Sequence, residues 1–217
     1  MDIVYSLFGF FQNGGLFMYP ILFVFAVGMA IAFERWIQLG RVKNENRKIW
    51  NRVQPMLAEG DYNQARTLVE KDKSTIARML AMGLERQGAV RRREDIEIAM
   101  EEGLMEVIPQ LERRTHYIGL LSNIATLLGL LGTIMGLIEA FTAVANANPA
   151  EKADLLSASI SVAMNTTAFG LMVAIPLLLL HAKLTSTTGQ IIDSLEMASI
   201  KTLNSISSNA KRQMQEG

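Results

Sequence analysis

The chain has 217 residues, half of them hydrophobic, with 21 Lys and Arg against 21 Asp and Glu and no cysteine. The missing cysteine excludes disulfides, thiolate metal sites and thiol nucleophiles. Zero net charge hides an asymmetry: most Lys and Arg lie between Arg35 and Arg114 and are interleaved there with acids, which gives a mixed-charge surface and no nucleic-acid-binding arm.

Residues 1–13 alternate Ile3, Val4, Leu7, Phe8 and Phe11 with polar residues at helical spacing, which predicts an amphipathic helix lying in a membrane interface. They lack the positive n-region of a cleaved signal peptide. Gly14-Gly15 breaks this helix. Residues 16–33 follow as a first transmembrane helix, with Pro20 in the early turns where a missing N–H costs least. Glu34-Arg35-Trp36 closes the span, and the guanidinium and indole are expected to anchor at the inner interface.

Residues 34–116 read as a cytoplasmic helical loop. Asp61 and Ser74-Thr75 are helix caps, Ile76, Met79, Leu80 and Leu84 form an apolar stripe, and Gly88 is the stop. The loop is expected to be too charged and too broken by glycine for a large core of its own, and so to pack against copies of itself. One continuous helix is predicted from Arg93 to Val144, about 75 Å long at 1.5 Å per residue, with bends at Gly103 and Pro109.

Residues 117–144 form the second span, 145–156 a short outer loop and 157–181 the third span. Residues 182–217 continue the third helix as a cytoplasmic tail through Ile191, Leu195, Leu203 and Ile206. Each span is long enough for a hydrocarbon core of roughly 30 Å. Because Lys and Arg mark the loops that stay inside, the N-terminus is read as outside and the C-terminus as inside. The fold class is therefore an all-α integral membrane protein with three transmembrane helices, spans two and three extending into long cytoplasmic helices. His116 and His181 sit at the inner ends of spans and read as membrane-edge anchors.

The spans carry hydroxyls beside glycines. In span two, Gly129, Gly132 and Gly136 permit close helix packing. Thr126 and Thr133 share a face. In span three, Asn165-Thr166-Thr167 lies mid-span, and Ser159, Thr166 and Gly170 share a face. Each threonine alone is explained by a bond to a carbonyl one turn back. Two such spans together point to a polar path, with Thr133, Thr166 and Thr167 as its ion-pathway residues and Thr126 and Ser159 as further pore-face polar groups. No ionisable residue lies mid-span, and Glu139 is the only acid within a span. Proton relays use intramembrane acids or histidines. A titrating carboxylate for proton movement must then come from another chain. No nucleophile–base set, metal-ligand spacing or phosphate loop suggests an enzyme or a cofactor.

The stretch Leu127-Leu128-Gly129-Leu130-Leu131-Gly132-Thr133-Ile134-Met135-Gly136 resembles the second-span signature of the MotA/TolQ/ExbB ion-channel family. Thr166-Thr167-Ala168-Phe169-Gly170-Leu171, followed by Ala174-Ile175-Pro176, resembles its third-span signature. The three-span, N-out layout resembles the ExbB and TolQ branch. The resemblance implies a pentamer of this subunit around an ExbD- or TolR-like single-span partner that supplies a membrane Asp. It implies ion-driven rotation that delivers work to the outer membrane through a TonB- or TolA-like protein, in a bacterial inner membrane. It places pore threonines on Thr133 and Thr167. The ExbB side is favoured over the TolQ side, and a non-conducting scaffold is the rival from another class. Two positions depart from the pattern. Val162 stands where these proteins often have Glu, and Thr166 stands where proton-driven members commonly have Ala. The extra hydroxyl resembles sodium-driven members, so the transported ion is read as H+, with Na+ held transiently at Thr166 and Thr167 as the alternative.

Overall fold

The structure, a computed structural model, describes residues 15–87 and 93–216, with side chains to residue 209. The amphipathic helix expected over 1–13 and the stop at Gly88 lie outside the described residues. Within them the chain is helical throughout: α1 (Met18–Glu59), α2 (Tyr62–Glu70), α3 (Thr75–Gln87), α4 (Arg93–Glu112), α5 (Thr115–Asn146) and α6 (Lys152–Glu216). Three helical stretches are long and apolar enough to cross a membrane, with apolar windows of mean hydropathy 1.7, 1.9 and 1.8. The chain divides into two compact units, one of residues 1–34 and 114–183, the other of residues 35–113 and 184–217.

Two helix boundaries differ from the sequence reading. α1 runs through Glu34-Arg35-Trp36 without a break and ends at Gly60, whose φ of +81 fits a left-handed cap. There Asp61 N–H bonds Met56 O at 3.0 Å and Gly60 N–H bonds Leu57 O at 3.3 Å, which satisfies carbonyls the helix leaves open. Span one thus also extends into a long helix. Conversely, the single helix expected over Arg93–Val144 is two helices. α4 stops at Glu112 and α5 starts at Thr115, with Arg114 left-handed at φ 66. Pro109 and Gly103 stay inside α4. A non-glycine residue in this conformation costs about 1–2 kcal/mol, so local sequence gave no sign of the break.

In the first unit, small residues make the closest helix approaches, beside the wholly buried Met18, Ile21, Ile118 and Leu177. A Cβ on Gly170 would lie 2.8 Å from Ala125 O and 3.0 Å from Gly129 Cα. One on Gly136 would lie 2.8 Å from Ala163 Cβ, and one on Gly28 would lie 2.8 Å from Leu177 Cδ2. Large apolar side chains such as Phe23, Leu127, Phe141 and Leu179 face outward. Without a hydrophobic drive between helices in lipid, close backbone approach is what holds such helices together. In this unit Glu34 and Arg114 form an ion pair at 2.7 Å.

The second unit is built the other way. Leu57, Met79, Leu80, Leu84, Met100 and Ile191 are among its fully buried side chains. Stripes from several helices meet, and Ile191, Leu195, Ala198 and Leu203 of α6 complete the core, so it is not built by the loop alone. Asp61 caps α2 by accepting from Gln64 N–H at 3.0 Å. Asn46 on α1 caps α3, accepting from Thr75 Oγ1 at 2.8 Å and Ile76 N–H at 3.2 Å. Arg35 is 2% exposed, so it is no interfacial anchor. It donates from Nη2 to Leu111 O, near the end of α4, and from Nη1 to Gln38 Oε1 at 2.8 Å. A cation at a helix C-terminus fits both the open carbonyls and the dipole there.

Candidate functional site

The α5–α6 pair brings the polar residues of spans two and three together. Ala125, Gly129 and Gly132 on α5 lie against Ala163, Thr166 and Gly170 on α6. At the edge of this seam the Thr133 and Thr167 hydroxyl oxygens meet at 2.8 Å. Both residues are partly exposed. The surrounding strip is apolar, with Leu130 and Leu137 on α5 and Met164 and Leu171 on α6 exposed beside them.

The hydroxyls have fewer protons than contacts. Thr167 Oγ1 lies 2.8 Å from Gly129 O, Thr133 Oγ1 lies 2.8 Å from Leu130 O, and the two oxygens lie 2.8 Å apart. Each hydroxyl carries one proton and two acceptor lone pairs. Thr133 Oγ1 also lies 3.3 Å from Gly129 O, so two protons serve four contacts. With both protons on backbone carbonyls, both oxygens offer lone pairs to one point, an arrangement that accepts from a proton donor or holds a cation. With one proton between the oxygens, the donor hydroxyl keeps both lone pairs and the acceptor keeps one. The site can change what it offers without moving a helix.

Thr166 stands elsewhere. It is 2% exposed, its Oγ1 donates to Val162 O at 3.1 Å, and its Cβ would lie 3.1 Å from a Cβ built on Gly132. Successive helical residues are about 100° apart, so Thr166 and Thr167 cannot face the same point. Ser159 follows Thr166 and Gly170 around α6 and is partly exposed. Thr126 does share the Thr133 side, is exposed, and donates to Ser122 O at 3.2 Å. Gly129, Gly132, Gly136 and Gly170 all line the α5–α6 seam. Glu139 is exposed. His116 is exposed, and the His181 ring packs over Gly119, 3.2 Å from where a Cβ would be. Among the described residues, no cluster of three His, Cys, Asp or Glu forms a metal site.

Sequence reasoning missed Ser122. It is buried and donates to Ala174 O at 2.8 Å, tying α5 to α6 two turns or more from the threonine pair. Its place in an apolar run was the only signal, and Asn123 beside it was equally polar.

A three-span helical bundle with a glycine-packed hydroxyl pair defines a polytopic membrane protein with a polar seam. The MotA/TolQ/ExbB proton channel family model matches residues 71–197, and the chain belongs to that family. It is similar to a putative biopolymer transport protein ExbB homolog of Methanothermobacter thermautotrophicus, 27% identical over 203 residues, covering 91% of this chain and 71% of the relative. It is 30% identical over 189 residues to putative biopolymer transport protein ExbB-like 1 of Synechocystis, covering 84% and 72%. Biopolymer transport protein exbB1 of Vibrio cholerae is 41% identical over 73 residues, covering 34% of this chain and 32% of that protein. The chain is a multi-pass membrane protein.

Proposed function

We propose that this chain is the ExbB-like subunit of a motor that couples an ion gradient to work on the outer membrane. Copies of it, five by family resemblance, surround a single-span, Asp-bearing partner of the ExbD type, and a TonB-like protein carries the work outward. The membrane is the bacterial inner membrane, with Asn148 outside and Gln87 and Gly217 inside. The observation that carries this reading is the Thr133–Thr167 hydroxyl pair. An unpaired charge at mid-bilayer costs on the order of 3 kcal/mol on insertion scales. Hydroxyls able to accept from a protonated carboxyl, or to turn a proton toward a carboxylate, lower that cost at the step where the partner's Asp changes charge. The ion is H+. Thr166 packs into the seam and donates to Val162 O instead of joining the Thr133–Thr167 pair, which favours H+ over Na+.

Thr133→Val and Thr167→Val keep size and remove the hydroxyls. The complex co-purified with its partner should keep its subunit count while ion flux in proteoliposomes falls at least tenfold. Full flux from the double variant would refute the reading. Cysteine labelling at 87, 148 and 217 tests orientation.

A further inference from the structure

The second unit carries two outward helix faces of opposite charge. Between residues 35 and 59, α1 holds six Lys and Arg and two Glu. Arg41, Lys48 and Arg52 fall at i, i+7 and i+11, on one exposed stripe. α4 holds seven acids against Arg93 alone. Its outward stripe is Glu94, Ile98, Glu101 and Met105, with Ile98 61% and Met105 72% exposed. Among the described residues, none of Arg41, Lys48, Arg52, Glu94 and Glu101 has an ion-pair partner.

Their levels match. α4 runs opposite to α6, since Met100 meets Ser199 and Arg93 meets Asn204. α1 runs with α6, since Lys43 meets Gln190 and Leu57 meets Asn209. α1 and α4 are therefore antiparallel, and Arg35 bonded to Leu111 O fixes a common level. Stepping from that level at about 1.5 Å per residue along each helix brings Arg41 level with Met105, Lys48 with Ile98 and Arg52 with Glu94, to within about a turn.

We infer that the α4 stripe of one copy docks on the α1 stripe of the next copy in the assembly. The inference rests on the homo-oligomer proposed above. The two faces lie on different sides of one subunit, so copies related by rotation can repeat the same contact around a closed ring. Opposed charge then sets which faces meet. Ile98 and Met105 supply apolar contact in a region where a soluble surface exposes few such aligned residues. Anionic lipid is the poorer occupant. The α4 face is acidic and would be repelled by it.

The chain has no cysteine, so introduced thiols pair only with each other. Two differently tagged full-length copies, one Lys48→Cys and one Glu101→Cys, are co-expressed, held in membranes and oxidised. The expected product is a mixed-tag disulfide dimer, absent when Lys43→Cys replaces Lys48→Cys. Glu101→Lys should weaken the oligomer against salt, and Lys48→Glu in the same chain should restore it. An intact oligomer without the mixed dimer overturns the inference and leaves the proposed function standing. A monomer in native membranes overturns both. Cross-linking of position 101 only to a different protein overturns the inference alone.

Discussion

In the first unit the buried set holds Ala125, Ala140, Ala163 and Ala174 together with Met18, Ile21, Ile118 and Leu177, while Leu127 is 62% and Phe141 63% exposed. In the second unit Met79, Leu80 and Met100 are wholly buried, and Arg, Lys and Glu cover the outside. The two units thus differ most in what they expose, apolar side chains in the first and charged ones in the second. Where the surroundings are lipid, burying a leucine gains little, and helices are held by backbone approach and by hydrogen bonds such as Ser122 to Ala174 O. Where the surroundings are water, burial of apolar area is the main driving force. One helix pair can therefore carry a polar site at a seam made narrow by glycine.

Substitutions at the glycines should break this comparison most severely. Gly170→Leu puts side chain into Ala125 O and Gly129, both backbone, and should abolish the folded form of the proposed oligomer on size-exclusion chromatography in detergent. Gly132→Leu should do nearly as much, and Leu130→Ala, at a site 53% exposed, should leave the oligomer intact. If Gly132→Leu purifies with normal stability, close approach is not what holds the first unit.

The next largest effect separates the units. Leu80→Ala, at a wholly buried site, should cost about 2–5 kcal/mol, read as a shift in denaturant midpoint for the second unit. Ile134→Ala, at a site 49% exposed, should leave that measurement unchanged. Equal effects would mean that both units obey one packing rule.

Arg35→Ala leaves Leu111 O without this buried donor, at a cost of about 1–3 kcal/mol, and hydrogen exchange should quicken in the last turn of α4. The neighbouring Arg114→Ala removes a half-exposed ion pair and should cost no more than about 1 kcal/mol. Reversal of that order would make the surface pair the more important contact.

Smallest is the Arg66–Glu70 pair, an exposed i, i+4 contact at 2.7 Å. Its hydrogen bond and charge raise the Arg66 pKa further above its ordinary value. Arg66 stays charged throughout the accessible pH range, so this shift gives no pH dependence below that value. Arg66→Ala should leave the thermal midpoint of the purified protein unchanged.

Much of this was legible in the chain. Hydropathy marked the three long apolar helices because twenty apolar residues in a row have few other uses. Asp61 announced the start of α2 because a cap is a local bond, to Gln64 three residues on. The seam glycines were visible because their spacing is helical. The break at Arg114 was not legible: it follows no glycine, and the freed carbonyl finds its donor in Arg35, far away in the chain. Nor was the core of the second unit, since no single stripe shows that the others will meet it.

By itself the sequence determined the class of this protein. Apolar run lengths, absent mid-span charge and two short signatures are properties of neighbouring residues, and local physics reads them. Only the tertiary structure decided which hydroxyls act together. Thr166 and Thr167 are adjacent in sequence, but the helix turns one into the seam and the other toward Thr133, and the Gly129–Gly170 approach brings those two oxygens to 2.8 Å. Contact between side chains depends on the distance and rotation of two helices, and no local pattern in either helix specifies both.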